Sequence, residues 1–391
     1  MTLNILIAPS GFKESLNAEQ VADCIANGIH KVLKDVNIRK APLVDGGEGF
    51  TKTLVNATGG ILHYLEVTGP VGQKVPSHFG FLGGCSVKTA VLEMSAAAGL
   101  RLVPPDLRNP LVTTTYGVGE LIKAALDAGA ERILVGCGDS GTNDGGAGMA
   151  QALGVKLLDE NGDEIGWGGS ELIKVKHIDL SKRDSRLDTV QIDVACNWHN
   201  LLCGDRGVAR VFGPQKGASP EIVEQMALGL EHYAAAIRDD LGLDVGEMPG
   251  SGASGGLGTG LHALIGATLH PRYEIVMQYL ELDSLIPEVD LVITAEGCID
   301  FQTPRGKIPT EVARRAKIYE LPVIALVGTI GEGAEINLQH GIDYFTSILT
   351  HPCGLSEAIN QTASSLTDTA EQIARLLLVG KQIRRCTLTG W

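Results

Sequence analysis

The sequence predicts an α/β protein in which a doubly wound parallel-sheet domain is interrupted by a second, mixed α/β domain. Three observations carry that expectation. Short apolar runs alternate with helix-period segments at both ends of the 391-residue chain. The texture changes after Glu66, where turn signals separate paired strands, and the alternation returns near Tyr273. Polar, glycine-containing loops follow several apolar runs, at the positions where open α/β sheets bind ligands. The expected division is 1–66 with 271–391 for the first domain and 67–270 for the inserted one, with a cleft between them.

Taken in order, residues 4–8 form an apolar strand, followed by the loop Pro9-Ser10-Gly11-Phe12-Lys13-Glu14-Ser15. Asn17 with Gln20 makes a capping box, and Val21, Ile25, Ile29, Val32 and Leu33 are the apolar stripe of the helix it opens. Residues 39–44 read as a second strand ending in Asp45-Gly46-Gly47-Glu48-Gly49, and a helix follows to about residue 57. Gly69-Pro70-Val71-Gly72 is a turn, and 78–82 and 88–94 read as antiparallel strands around Gly83-Gly84. A helix over 117–128 precedes the strand 132–135; a helix over 147–153 and a strand over 155–160 come after it. A strand over 190–196 and helices over 221–237 and 255–269 complete the insertion. The first domain then resumes with strands at 290–294, 322–327 and 343–349 and helices at 310–319 and 368–378.

Composition narrows the function. Apolar residues make up 44% and charged residues 20%, an ordinary globular balance. A net charge of -14, from 32 basic and 46 acidic residues, argues against a nucleic-acid partner. It also means that an anionic substrate needs local cations or a metal. The eight cysteines form no C-x-x-C pair, so reduced thiols are expected and a zinc site is not. The N-terminus carries no basic leader, and no apolar run reaches the roughly 20 residues of a membrane span. A cytoplasmic protein without a membrane partner is expected. The assembly expectation is a homodimer, which nothing in the composition fixes.

The stretch Gly136-Cys137-Gly138-Asp139-Ser140-Gly141 contains a literal G-x-G-x-x-G after a strand, with Asp159 and Glu160 ending the next one. A dinucleotide loop, a glycine-rich turn without chemistry, and a polar loop for a metal or phosphorylated ligand are all open. Asp139, Asn143 and Asp144 weigh against a bare pyrophosphate and toward the third. A second such pattern, Gly250, Gly252 and Gly255, follows no strand, although Ser251 and Ser254 at a helix start suit an anion. There is no Walker A sequence. Phosphoryl transfer still requires only positioning, positive charge and a carboxylate-held metal. The loops supply Lys13, Lys216 and Lys307 as cations and Asp45, Glu48, Asp144, Glu296 and Asp300 as carboxylates. Ser15, Thr142, Asn143, Gln302, Thr303 and Gly306 supply hydrogen-bonding and backbone positions. The loops at 13–15, 45–48 and 296–307 are expected to converge on one sheet edge.

With those loops read, the chain resembles the type 1 glycerate kinase family over essentially its whole length. The resemblance rests on Phe12-Lys13-Glu14-Ser15-Leu16, Asp45-Gly46-Gly47-Glu48-Gly49, Thr142-Asn143-Asp144-Gly145-Gly146-Ala147-Gly148-Met149, Phe212-Gly213-Pro214-Gln215-Lys216-Gly217-Ala218 and Glu296-Gly297. Asp300-Phe301-Gln302-Thr303 with Gly306-Lys307 completes it. It implies a two-domain kinase with one flavodoxin-like domain split by the other. It also implies ATP- and Mg²⁺-dependent phosphorylation of D-glycerate, giving 2-phosphoglycerate or else 3-phosphoglycerate. Four departures mark a subfamily: Ser10-Gly11 in place of Asp-Ser, Asp139 and Gly141 in place of Gly and Ala, Cys298 in place of Arg, and the run Asn197-Trp198-His199-Asn200. Arg305 or Lys307 can stand in for the missing Arg.

The expected mechanism holds the glycerate carboxylate with Lys13 and Ser15. Asp45 or Asp144 accepts the hydroxyl proton, and Asp144, Glu296 and Asp300 serve as metal ligands. Lys216 and Lys307 sit on the transferring phosphoryl group. Asp144→Ala is expected to abolish turnover with the fold intact. The rivals are a nucleotide-dependent dehydrogenase of a small hydroxy acid, based on the Gly136 loop, and a non-catalytic small-acid sensor.

Overall fold

The computed structural model describes the chain except Met1, Lys13, Asp45, Arg305 and 388–391, and gives only the backbone of 383–387. The chain opens with β1 (Leu3–Ile7), α1 (Ala18–Val32) and β2 (Val36–Lys40). It continues through α2 (Phe50–Ala57), β3 (Ile61–Thr68), β4 (Lys74–Phe81), β5 (Thr89–Glu93), α3 (Ser95–Ala98), α4 (Tyr116–Asp127) and β6 (Arg132–Gly136). Next come α5 (Ala147–Ala152), β7 (Lys156–Leu158), β8 (His177–Asp179), β9 (Gln191–Cys196), α6 (Val208–Phe212), α7 (Pro220–Leu241), α8 (Ala253–Ile265) and β10 (Thr268–Pro271). It ends with α9 (Arg272–Tyr279), α10 (Leu282–Leu285), β11 (Leu291–Ile299), α11 (Ile308–Ile318), β12 (Val323–Ile330), β13 (Tyr344–Ser347) and α12 (Leu355–Thr387).

Contacts divide the chain into two compact units, Met1–Val44 with Val276–Trp391, and Asp45–Ile275. The first unit is a five-stranded parallel sheet in the order β13-β12-β11-β1-β2. Counted within the unit this is 2-1-3-4-5, the flavodoxin-like winding. Its core joins Ile5 and Ile7 of β1, Ile293 of β11 and Leu326 of β12 to Val21, Ile25 and Ile29 of α1 and Leu366 and Ile373 of α12. The capping box forms as its residue types require, Asn17 accepting from the Gln20 amide and Gln20 reaching back to the Asn17 amide.

The second strand lies earlier than the expected 39–44. It pairs from Leu3↔Val36 to Ile7↔Lys40. The chain then stays extended beside β1, with the Ala41 amide donating to Ile7 at 2.8 Å and the Leu43 amide to Pro9 at 2.8 Å. Pro42 between them has no N–H to give.

The second unit holds a six-stranded sheet, order β10-β9-β6-β5-β4-β3, parallel from β10 to β5 and antiparallel from β5 to β3. It has its own core, with Leu92, Val135, Val194, Leu121, Met149 and Leu261 among the buried residues. The antiparallel pairing of β3 with β4 runs from Ile61↔Phe81 to Thr68↔Lys74. The division of contacts puts 45–66 in the second unit, β3 among them, whereas the sequence placed the change of texture at 66. The expected strand at 155–160 shrinks to β7, which pairs with β8 in a separate two-stranded antiparallel ribbon. The expected helix over 255–269 ends at Ile265, where Gly266 at φ 78° stops it, and 268–271 forms edge strand β10 instead. Among the described residues no helix is long and apolar enough to cross a membrane.

Candidate active site

In the first unit the strand order reverses between β1 and β11, and ligands of doubly wound sheets bind outside the carboxyl ends of strands at such a switch point. The loops after these two strands carry the expected motifs. After β1, the Phe12 amide donates to Leu16 at 2.8 Å, closing a tight loop. Ser10 is drawn to β11, its hydroxyl donating to the Ala295 carbonyl at 3.0 Å. Ser15 points its hydroxyl hydrogen at α12, donating to Ile359 at 2.9 Å, so that proton is not available to a ligand in this conformation. Lys13 and Asp45, both expected in the catalytic set, lie outside the described residues.

After β11 the chain folds around one carboxylate. Glu296 sits on the strand opposite Val327, and pairing continues to Ile299↔Ile330, so the expected loop begins only at Asp300. The Asp300 carboxylate accepts from the Gln302 amide at 2.9 Å, the Thr303 hydroxyl at 3.2 Å and the Lys307 ammonium at 3.3 Å. Burial pushes Asp300 up, but the Gln302 amide and Lys307 outweigh it and hold the carboxyl below its usual range. Thr303 is fully buried and its carbonyl accepts from Thr310 at 3.0 Å, which pins the loop to α11. Gly306 turns the chain at φ 90°, a conformation that favours glycine. Lys307 then stands as the N-cap of α11, at the helix end whose dipole favours anions. Gln302 is exposed. Burial raises the Cys298 thiol and Asp300 adds to it, so this position supplies no cation and no thiolate.

The second unit gathers Glu48, Thr142, Asn143, Asp144 and Lys216, but not as the sequence suggested. Asp144 is fully buried. Its Oδ2 accepts from the Thr115 amide at 2.8 Å, the Thr115 hydroxyl at 2.9 Å and the Gly148 amide at 3.3 Å; its Oδ1 accepts from the Gly146 amide at 3.3 Å. Thr115 and Gly146 are the N-caps of α4 and α5, so one carboxylate caps two helices. Burial raises its pKa while these donors pull it back. In this conformation the carboxylate, expected as base or metal ligand, is turned onto the donors at these two helix starts. Those contacts lead us to expect that Asp144→Ala costs stability as well as turnover, where the sequence alone suggested a variant with its fold intact. Among the described residues no group of three His, Cys, Asp or Glu side chains is arranged to hold a metal ion. Glu296 and Asp300, in the first unit, carry the carboxylate oxygens that Mg²⁺ takes and are only partly buried, whereas Asp144 is fully buried.

Lys216 is 2% exposed and donates to the Ser140 hydroxyl at 2.8 Å and the Thr142 carbonyl at 2.6 Å. Burial pushes its pKa down to about 7, against the pull of Asp144. In this conformation its ammonium is held by its own loops. The Asn143 side chain and the Thr142 hydroxyl are buried and have no hydrogen-bond partner among the described residues. Glu48 is on the surface, where its carboxylate pairs with Arg101 at 2.9 Å and its amide donates to Asp139 at 2.9 Å.

The glycines of the opening motif serve the protein's own chain. A Cβ on Gly138 would lie 2.7 Å from the Gly47 Cα, and one on Gly136 would lie 2.6 Å from the Phe50 ring. Gly255 of the second motif would meet the Thr142 carbonyl at 2.0 Å. Close approach of loop to loop, not to a pyrophosphate, explains both patterns. With β7 absent from the main sheet, the dinucleotide context is absent too. Gly138→Ala is expected to destabilise the protein by about 1–3 kcal/mol through overpacking, read as a lower urea midpoint at unchanged m-value.

Sequence reasoning missed Glu93, Ser140 and Arg101. Glu93 ends β5, is 1% exposed, and accepts from the Gly49 amide at 3.0 Å and the Thr51 amide at 2.8 Å, capping α2 from a neighbouring strand. An acid closing the apolar run Ala90-Val91-Leu92 was its signal. Ser140 and Arg101, with Ser95, Leu100, Asp139 and Gln215, line a 260 Å³ cavity. The cavity lies where the loops after β5 and β6 meet, at the carboxyl edge of this sheet.

Fold and loops together define the class: a two-unit α/β protein with lysine-bearing loops following parallel strands and no dinucleotide fingerprint, the equipment of a small-molecule kinase. Comparison makes the family specific. The model of the glycerate kinase family matches residues 5–378. The chain is 46% identical over 375 residues to a glycerate kinase of Haemophilus influenzae, covering 96% of this chain and 99% of that one. It is also 46% identical over 378 residues to the glycerate 2-kinase of Escherichia coli strain K12, covering 97% and 99%. A crystal structure from Salmonella typhimurium LT2, described as a glycerate kinase 2, matches with a TM-score of 0.87 at 44% identity, over 98% of this chain and 100% of that one. The chain belongs to the glycerate kinase family.

Proposed function

We propose that this chain transfers the γ-phosphoryl group of ATP to the 2-hydroxyl of D-glycerate. ATP-dependent phosphorylation of glycerate is the family's activity, and the match over residues 5–378 is the observation that carries it. The 2-hydroxyl is supported by the Escherichia coli relative named glycerate 2-kinase.

Phosphoryl transfer needs cations at the transferring group, a proton acceptor and dry surroundings. Lys307 at the start of α11 supplies the first, reinforced by the helix N-terminus. Asp300 keeps the ammonium in place through their 3.3 Å contact. With Asp144 enclosed, Asp45 is the candidate base. Lys13 is the cation expected at the glycerate carboxylate. Glu296 and Asp300 are the residues that would hold Mg²⁺, which binds through one or two carboxylates beside substrate phosphates. When bound, the ion offsets charge on the phosphate oxygens.

Phosphorus NMR of a reaction containing D-glycerate, ATP and Mg²⁺ tests the proposal. The expected spectrum shows ADP and 2-phosphoglycerate in equal amounts. The resonance of 3-phosphoglycerate would overturn the choice of hydroxyl, and reduction of a nicotinamide cofactor without ADP would overturn the kinase.

A further inference from the structure

We propose that the cavity at the carboxyl edge of the second sheet recognises the carboxylate of the substrate, with Ser140 and Arg101 as direct contacts and Lys216 as the positioning residue behind Ser140. The claim rests on the glycerate kinase reading and assigns the acid end of its substrate.

Charge is the first argument. Lys216 brings an ammonium almost wholly out of water, and among the described residues its contacts are the oxygens of Ser140 and Thr142, with no carboxylate at ion-pair distance. A buried cation answered only by neutral oxygens is costly unless an anion joins it. The acids in the cavity wall do not fill that role. Glu48 is paired with Arg101 at 2.9 Å, and Asp139 accepts the Glu48 amide at 2.9 Å. Among the described residues the ammonium has no carboxylate at ion-pair distance, and Asp144 acts on it only from farther off.

Hydrogen-bond direction is the second. Lys216 donates to the Ser140 oxygen, so the serine's own hydrogen points elsewhere. Ser140 lines the cavity, where that hydrogen is a donor polarised by the ammonium behind it. Arg101 adds the planar fork that suits a carboxylate. Its present partner is a solvent-exposed pair, at 48% and 57% exposure, and such pairs exchange easily. Size is the third argument: 260 Å³ admits a three-carbon acid. Asp139 holds the rim at φ 50°, a conformation that carries strain for a residue with a Cβ and is commonly found at ligand-binding loops.

Proton linkage gives a readout that a merely structural lysine would not. Burial holds Lys216 near a pKa of about 7. An anion in the cavity favours the protonated form, so glycerate affinity should be highest below pH 7 and fall above it. The charged groups facing this lysine and the cavity are Asp144 from the loop before α5, Arg101, Glu48 and Asp139 on the wall, and Glu93 behind Ser95.

The test measures initial rates of the full-length enzyme against D-glycerate and against ATP, from pH 6 to 9, with calorimetry of D-glycerate and of glycerol in the absence of nucleotide. Ser140→Ala and Arg101→Met should each raise the KM for glycerate about 10-fold, leave the KM for ATP in place, and weaken D-glycerate binding, while Ser140→Thr restores both. Lys216→Met should raise the same KM and flatten its rise above pH 7. Arg101 is half exposed, so its variant reports even where a loop variant folds poorly. An unchanged glycerate KM in Ser140→Ala and Arg101→Met, or a loss confined to ATP, would overturn the proposal. A parent enzyme that binds D-glycerate without releasing ADP would instead overturn the kinase reading and leave the subsite standing.

Discussion

Replacing Lys307 with methionine is expected to lower kcat for glycerate phosphorylation by about 100- to 1,000-fold, the usual consequence of removing one preorganised transition-state charge. Lys307 is 30% exposed and its ion pair with Asp300 is worth about 0–1 kcal/mol of stability. Asp300 keeps the Gln302 amide and the Thr303 hydroxyl in the variant, so the turn survives. The melting temperature should therefore move by no more than roughly 2–4 °C. Loss of turnover without loss of fold, measured by ADP release beside thermal melts, is the signature of a residue that acts on charge at the phosphoryl group. A variant with parental kcat would remove Lys307 from the reaction. Lys307→Arg should recover part of the loss, because charge is kept while the point-like geometry of the ammonium is not.

Asp144→Ala has the opposite signature. It strips the acceptor from the Thr115, Gly146 and Gly148 amides, all at buried helix starts. Losing a cap costs about 1 kcal/mol per helix, and each buried donor left without an acceptor adds about 1–3 kcal/mol. The expected destabilisation is at least about 3 kcal/mol, a drop of roughly 6–12 °C in melting temperature. Asp144→Asn keeps one oxygen acceptor and should recover part of it. Stability, followed by circular dichroism, is thus the first quantity to fail, and activity follows because the Thr142–Gly146 turn is lost. A folded alanine variant with a parental melting temperature would refute the shared-cap account.

The contrast between these two residues shows what a linear sequence discloses. Both were legible as polar residues in glycine-rich loops after strands. The context of Lys307 is local: Asp300, Thr303 and Gly306 lie in the same short loop, so the surroundings of this lysine can be read from neighbouring residues. The partner of Asp144 is Thr115, at a sequence distance of 29 residues, on a helix whose position depends on the crossover between β5 and β6. Nothing in the loop itself distinguishes a carboxylate aimed at a ligand from one turned inward to cap helices. The same holds for the glycines. Their spacing was visible, but the backbone they approach lies in a distant segment, Gly47 for Gly138 and Thr142 for Gly255.

Elements followed the same rule. The α1 capping box was readable because all its terms lie within four residues. The strand at 155–160 was misplaced because apolar alternation cannot say which sheet, if any, a strand joins. The placement of residues 45–66 depended on β3 finding β4, a pairing that periodicity does not encode. Arg101, inside an apolar alanine-rich run, gave no functional signal, since its meaning comes only from Glu48 across the cavity.

The contact of Gly138 with Gly47 has a further consequence. Two bare backbones in contact leave no side chain that can rotate and loosen them, so the turns that carry Glu48 and Asp139 behave as one stiff piece. An incoming acid meets a rim already set in shape and loses little freedom in ordering it. In hydrogen–deuterium exchange of the free enzyme, the amides of Glu48 and Cys137 should therefore be among the slowest in their loops, and glycerate should slow them little further.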